Sequence, residues 1–153
     1  MGEELLRGML TLDMLAQEVE RGEIDTVITA FTDLYGRFMG KRLDAAFFLE
    51  HTASGGMHAC NYLLTVDLPM DPVPGYRYAN WELGYGDVHC VPDMNTLRRI
   101  TWLDKTALVI CDLRDERTGQ PVSIAPRTML RRQMDEAAAM GYTPLGSSEL
   151  EYF

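Results

Sequence analysis

Asp25-Thr-Val-Ile-Thr-Ala-Phe-Thr-Asp-Leu-Tyr-Gly-Arg-Phe-Met-Gly-Lys-Arg-Leu43 reads as a strand, a turn and a returning strand. Residues 25–31 concentrate Val, Ile and Thr, whose branched side chains suit a pleated surface. Asp33-Leu-Tyr-Gly36 supplies the turn, with an aspartate able to bond the backbone ahead of it and a glycine free to take positive φ. Arg37 to Leu43 then returns beside the first strand, closing a β-hairpin.

The flanking patterns extend this unit in both directions. Thr11 to Gly22 predicts a short amphipathic helix, with Leu12, Leu15 and Val19 on one stripe and Gly22 as its stop. Ala45 to His51 predicts one or two helical turns, and Gly55-Gly56 a loop. Cys60 to Val66 predicts a further strand. Asp67 to Gly86 holds three prolines and three glycines and predicts a long irregular segment. Segments of that length in a compact domain are functional or disordered, and Tyr76, Tyr78, Trp81 and Tyr85 favour order. Asp87 to Val91 predicts a short strand stopped by Pro92-Asp93, and Thr106 to Leu113 a clear strand. Thr118-Gly119 predicts a turn. Pro126 opens a helix whose apolar stripe is Leu130, Met134, Ala137 and Ala138, closed by Gly141. Runs of strands with few crossing helices make the fold class α+β.

Composition narrows the function classes. The 153 residues fit one domain, and a 46% hydrophobic fraction beside 24% charged residues is enough to build a core. A net charge of −9, from 14 basic and 23 acidic residues, argues against nucleic acid or anionic membrane as a partner. No run of about 18 apolar residues is present to span a bilayer. Met1-Gly-Glu-Glu lacks the basic and apolar regions of a signal peptide, so a cytoplasmic location is expected. Cys60, Cys90 and Cys111 are odd in number and widely spaced, unlike a disulfide framework or a zinc motif. They are expected to behave as small, semi-buried hydrophobes in a reducing compartment. His51, His58 and His89 are scattered, which argues against a metal cluster built from them.

Glu149-Leu-Glu-Tyr-Phe153 alternates carboxylates with apolar residues, the period of a strand. Both glutamates would then point to one side, roughly 6–7 Å apart at about 3.3 Å per residue. That spacing suits oxygen ligation of hard cations such as Mg²⁺ or Mn²⁺. A solvated strand face explains the same pattern without a metal.

Five fragments, in order, resemble the N-terminal part of a glutamine synthetase. They are Asp33-Leu-Tyr-Gly-Arg-Phe-Met-Gly-Lys-Arg42; Gly84-Tyr-Gly-Asp-Val-His-Cys-Val-Pro-Asp93; Leu97-Arg-Arg-Ile-Thr-Trp102 with Thr106-Ala-Leu-Val-Ile-Cys-Asp112; Ala125-Pro-Arg-Thr-Met-Leu-Arg-Arg132; and Gly141-Tyr-Thr-Pro144 leading into Glu149-Leu-Glu151. Within that family, Cys60-Asn-Tyr-Leu-Leu64 and the loop from Trp81 to Asp87 resemble the branch that joins glutamate to amines other than ammonia, the gamma-glutamyl polyamine and ethanolamide synthetases.

The resemblance implies a β-grasp domain over residues 1–125 and the first helix and strand of a catalytic domain over 126–153. That domain would continue past the sequence, leaving this segment alone catalytically silent. It also implies an ATP-dependent ligase, in which ATP phosphorylates the γ-carboxylate of glutamate and ammonia or an amine displaces the phosphate. Mg²⁺ or Mn²⁺ would neutralise the developing phosphoryl charge. The implied assembly is a dodecamer of two rings, in which the N-terminal domain of one subunit completes its neighbour's active site.

The same resemblance assigns roles to single residues. Glu149 and Glu151 become metal ligands. Asp87 becomes a catalytic carboxylate that favours a cationic amine and helps remove its proton; a plain turn cap is the alternative. Asn61 stands near an aspartate of the ammonia-using relatives. A carboxamide cannot act as a base or offset an ammonium charge, so ammonia itself comes into question; an ordinary strand residue is the other reading of Asn61. Trp81 resembles a loop tryptophan near the nucleotide or amine pocket, where its face can bind a cation, unless it anchors the loop in the core. Lys41, Arg42, Arg98, Arg99, Arg127, Arg131 and Arg132 are expected to be solvated or structural. A non-catalytic β-grasp assembly or binding module is the rival to the enzyme, and the paired glutamates argue against it.

Overall fold

The computed structural model describes residues 8–152. Helix α1 (Leu12–Glu20) begins at Thr11, whose Oγ accepts the N–H of Met14 at 3.1 Å, and buries Leu15. Strands β1 (Thr26–Thr32) and β2 (Phe38–Asp44) form the expected hairpin, with Thr26 opposite Asp44 and Thr32 opposite Phe38. Asp44 then caps the next helical stretch by accepting the N–H of Phe47 at 2.9 Å. This stretch is longer than expected. It runs through α2 (Ala45–Phe47), a π-turn (Phe48–Thr52) and α3 (Ala53–Gly55).

Two strand expectations in the region of the sheet are corrected. Strand β3 is Met57–Cys60, and the chain leaves it at Asn61 in a 3₁₀ turn over Asn61–Leu64. The strand expected over Cys60–Val66 therefore ends where it was expected to begin. Leu63 and Leu64 still meet the core, but from that turn. Strand β4 (Asp87–Arg99) runs through Pro92 instead of stopping there. Its pairing with β3 reaches only from Asp87 to Cys90, so Pro92 sits where β4 has no strand on one side and a missing N–H is tolerated.

With β5 (Thr106–Asp115) these strands make one mixed sheet in the order β2-β1-β5-β4-β3. The central β1–β5 pair is parallel and the others antiparallel. Val27, Thr29 and Phe31 alternate onto one face, beside Ala107, Val109, Cys111 and Leu113 of β5. Leu15, Ala45 and Phe48 pack on one end of that face, and Met57, Leu64, Val88 and Cys90 on the other. The cysteines divide. Cys90 and Cys111 are buried as expected, and burial pushes the Cys90 thiol up to about 12, but Cys60 is exposed at the end of β3.

A bulge in β4 places the sheet's charges. Asp93 pairs with Ile110 and Arg98 with Leu108, so β4 has extra residues between these two points. The odd insertion turns Asp93 to the face away from the core yet returns Leu97 to it, fully buried. There Asp93 and Asp112 receive helix α4 (Pro126–Ala139). Arg127 donates to Asp112 at 2.9 Å and to Asp93 at 2.7 Å, and Arg131 donates to Asp112 at 3.1 Å. Burial alone would lower the Arg127 pKa, but the two carboxylates outweigh it and hold the guanidinium charged. The helix forms as expected, but none of its residues is buried, and Leu130 and Met134 of its apolar stripe are exposed. Charge rather than apolar packing thus fastens α4. Arg127→Ala is expected to speed amide exchange across α4 by about tenfold or more, the weight of lost charged hydrogen bonds, while the strands keep their protection.

The strand expected over Glu149 to Phe153 does not form. Phe153 lies outside the described residues, and residues 143–152 have no regular structure. Alternation alone does not make a strand; a partner must take its N–H and C=O groups, and among the described residues none lies alongside. Leu150 and Tyr152 are both exposed.

Candidate functional site

Where β3 ends and β4 begins, Asn61, Tyr85 and Asp87 line a cleft of about 530 Å³. Cys60 lies opposite Asp87 in the register, which brings the two segments side by side. The Asn61 N–H donates to the Gly86 carbonyl at 2.9 Å, and Asn61 Oδ1 accepts the Gly86 N–H at 3.3 Å. Asp87 follows directly and is exposed, so its carboxylate is open to a solute in the cleft.

The segment from Asp67 to Gly86 is ordered by its own hydrogen bonds. Val66 bridges Pro72, Asp67 Oδ1 accepts the Asp71 N–H, and Asn80 both donates to the Tyr76 carbonyl and accepts the Leu83 N–H. Arg37, reaching across from the hairpin, donates to the carbonyls of Asp67 and Leu68. Trp81 is 79% exposed, so it does not anchor a core. Its ring lies 5.0 Å from Tyr85, edge to face, and Tyr85 lies 5.4 Å from Tyr62. The result is a chain of aromatic rings leading down to the cleft.

The opposite wall comes from the turn after β5. Asp115 accepts the N–H groups of Thr118 and Arg117 and the Thr118 hydroxyl, which hold its carboxyl below the usual range and keep it ionised. Glu116 meets His58 at 2.7 Å, and His58 stacks on His89 at 5.0 Å. Two of the three scattered histidines are thus neighbours. Arg77 and Arg117 add positive charge to the rim. Burial, with the Asp115 charge second, pushes the Tyr78 phenol up to about 12, so it stays neutral at physiological pH. An open carboxylate beside exposed aromatic faces fits a cationic group with an apolar body.

Asn61 and Asp87 therefore share the cleft, and Trp81 reaches it through Tyr85. Glu149 and Glu151 do not line it; they lie in the exposed stretch beyond α4. Among the described residues no group of three or more His, Cys, Asp or Glu is placed to hold a metal ion, so the two glutamates do not by themselves make a divalent-cation site. A larger groove, of about 630 Å³, runs beside α4 and contains no residue expected to be functional. Arg77, Glu116 and Arg117 were missed. Arg77 lay hidden in the irregular segment, and Glu116 and Arg117 precede the recognisable Thr118-Gly119 turn but reach the cleft only through the sheet order.

No protein-family model matches the chain. It is 46% identical over 143 residues to a gamma-glutamylethanolamide synthetase of Streptomyces coelicolor, covering 94% of this chain and 31% of that protein. It is 33% identical over 135 residues to a glutamate–isopropylamine ligase of a Pseudomonas species, covering 88% of this chain and 29% of that protein. A glutamine synthetase of Thermotoga maritima matches at 26% identity, over 94% of this chain and 30% of that protein. The chain belongs to the glutamine synthetase family. It spans about a third of the length of these relatives. A solved structure described as a novel glutamine synthase homolog shares the fold at a TM-score of 0.64 and 20% identity, over 76% of this chain and 27% of that one. The glutamine synthetase-like fragment Asp33–Arg42 is the β1–β2 turn and β2, and Gly84–Asp93 is the cleft edge and first half of β4. Among the described residues no helix is long and apolar enough to cross a membrane.

Proposed function

We propose that this chain is the amine-side portion of an ATP-dependent ligase that activates glutamate as gamma-glutamyl phosphate and joins it to an amine rather than to ammonia. The observation that carries this is the cleft lined by Asp87 and Tyr85, with the Trp81 ring against Tyr85, an anionic group beside aromatic rings. The two most similar relatives described above are named for ethanolamide and isopropylamine products, which supports the same choice of nucleophile. Asp87 binds the ammonium form and takes a proton from it before attack. Trp81 covers the amine's apolar body. Asn61 lies beside them and lacks the charge that would favour ammonium.

The mixed sheet with its parallel central pair is read as a β-grasp domain ending at about residue 125. Support comes from Ala125, which is buried in the sheet's core, while α4 beyond it buries nothing. Residues 126–153 then open a catalytic domain, in which Glu149 and Glu151 supply two carboxylates toward Mg²⁺ or Mn²⁺ and need further ligands. The working protein is a cytoplasmic dodecamer in which this cleft faces a neighbouring subunit.

The test is ATP-dependent phosphate release with glutamate, on the product of the complete reading frame, using ammonia, ethanolamine, isopropylamine and a polyamine. Turnover is expected with an organic amine, and Asp87→Asn is expected to lower kcat/KM for that amine by about 100-fold or more. Activity with ammonia alone would overturn the amine assignment. No turnover with any nucleophile would favour a non-catalytic module.

A further inference from the structure

Resting on the amine-side reading above, we infer that Asn61 acts as a positioning residue, the clasp that closes the segment from Tyr62 to Tyr85 and sets Asp87 in the cleft. Its backbone N–H and its side-chain oxygen both engage the same residue, Gly86, one through its carbonyl and the other through its N–H. This reciprocal pair lies at the neck of the long irregular segment, so both ends of that segment are held at one point. The neighbours on each side extend the closure, since Tyr62 follows Asn61, Tyr85 precedes Gly86, and their rings meet at 5.4 Å.

Gly86 is also the residue before Asp87, so the clasp fixes the peptide from which the catalytic carboxylate projects. Without it, the neck keeps the pairing of Cys60 with Asp87 and the Arg37 contact, but the Gly86 N–H that precedes Asp87 loses its side-chain acceptor. A segment this long pays closure entropy, and the clasp helps offset it beside the Cys60–Asp87 pairing. A carboxamide suits the role. Its oxygen accepts from the backbone without placing a second negative charge beside Asp87, and an aspartate oxygen could accept the same bond.

Two variants separate a clasp from a chemical role. Asn61→Ala deletes the side-chain bond and Asn61→Asp keeps an oxygen acceptor. In the 153-residue chain, NMR exchange of the Gly86 amide is expected to quicken about fivefold in Asn61→Ala, the weight of one neutral hydrogen bond, and to return toward the parent rate in Asn61→Asp. In the product of the complete reading frame, Asn61→Ala is expected to raise the amine KM about fivefold. The kcat, the KM values for ATP and glutamate, and the pH profile should move less than twofold, with Asn61→Asp restoring much of the amine KM. An unchanged Gly86 exchange rate in Asn61→Ala would overturn the clasp. So would a fall in kcat at constant amine KM, or a shifted pH profile, in Asn61→Ala, either of which marks a chemical role. If no amine is turned over at all, the amine-side reading fails, and Gly86 exchange alone still decides the clasp.

Discussion

Gly40→Ala is expected to lower stability by about 3–5 kcal/mol in urea unfolding, the sum of overpacking and backbone strain. Gly40 lies on β2 opposite Ala30, with φ +156°. A Cβ there would fall 1.9 Å from the backbone oxygen of Thr29 and 2.9 Å from Ala30 Cα. Those are backbone atoms of the adjoining strand, so no rotamer change relieves the contact; β2 must separate from β1. Gly36, in the same glutamine synthetase-like fragment, answers a different requirement. It takes φ +79° in the turn, and a Cβ there would meet nothing within 4 Å. Gly36→Ala therefore carries only the cost of the left-handed backbone, about 1–2 kcal/mol. The contrast between the two glycines is the check: similar losses in both variants would mean that the Gly40 contact is not the cause.

Asp33→Ala is expected to cost about 3 kcal/mol, the low end for breaking a buried ion pair, and to lower Tm by about 6–12 °C in a thermal scan. The Asp33 carboxylate is almost fully buried and accepts the Arg37 Nε–H at 2.6 Å with the N–H groups of Tyr35 and Arg37. Arg37 then spends its remaining nitrogens on the Asp67 and Leu68 carbonyls. Arg37 is partly exposed, which keeps the estimate at the low end. Removing the carboxylate strands the guanidinium and two backbone donors, and frees the segment leading toward the cleft.

The same site predicts a pH dependence. Burial pushes the Asp33 carboxyl up, but its hydrogen bonds and the charge of Arg37 together outweigh that and hold it below the ordinary carboxylate value. A depressed folded-state pKa contributes stability that is present above the unfolded value, near 4, and is lost as pH falls through the folded value. The stability difference between the parent and Asp33→Asn is therefore expected to be full at pH 7 and to shrink below about pH 4. A difference that stayed constant down to pH 2 would remove Asp33 ionisation from the account.

Legibility followed the range of the interaction. The hairpin, β5 and the helix opened by Pro126 were readable because their signals are local: branched residues in a run, Asp and Gly at a turn, a proline at a helix start. β4 was misread at Pro92, because a proline stops a strand or is tolerated according to whether a neighbour needs its N–H. Cys60–Val66 was misread as a strand, since the apolar run that suggested one packs its leucines from a 3₁₀ turn. Asp87 and Trp81 were named from a resemblance, not from any local pattern. Arg77, Glu116 and Arg117 had no signal to give, since nothing in a single charged residue states which cleft it will line.

Taken alone, the sequence determined the family resemblance, the hairpin with its turn glycine Gly36, and the acidic, helix-and-strand character of the chain. The tertiary structure decided what those residues are for. It joined Asn61 to Gly86 and Arg37 to the Asp67 and Leu68 carbonyls, set Asp87 in one cleft with Tyr85, turned Asp93 to meet Arg127, and left Glu149 and Glu151 without a strand partner among the described residues. The reason is physical. Propensity and turn chemistry act between residues a few positions apart, whereas a cleft, a clasp or an ion pair exists only once the sheet order has brought distant residues within hydrogen-bonding distance.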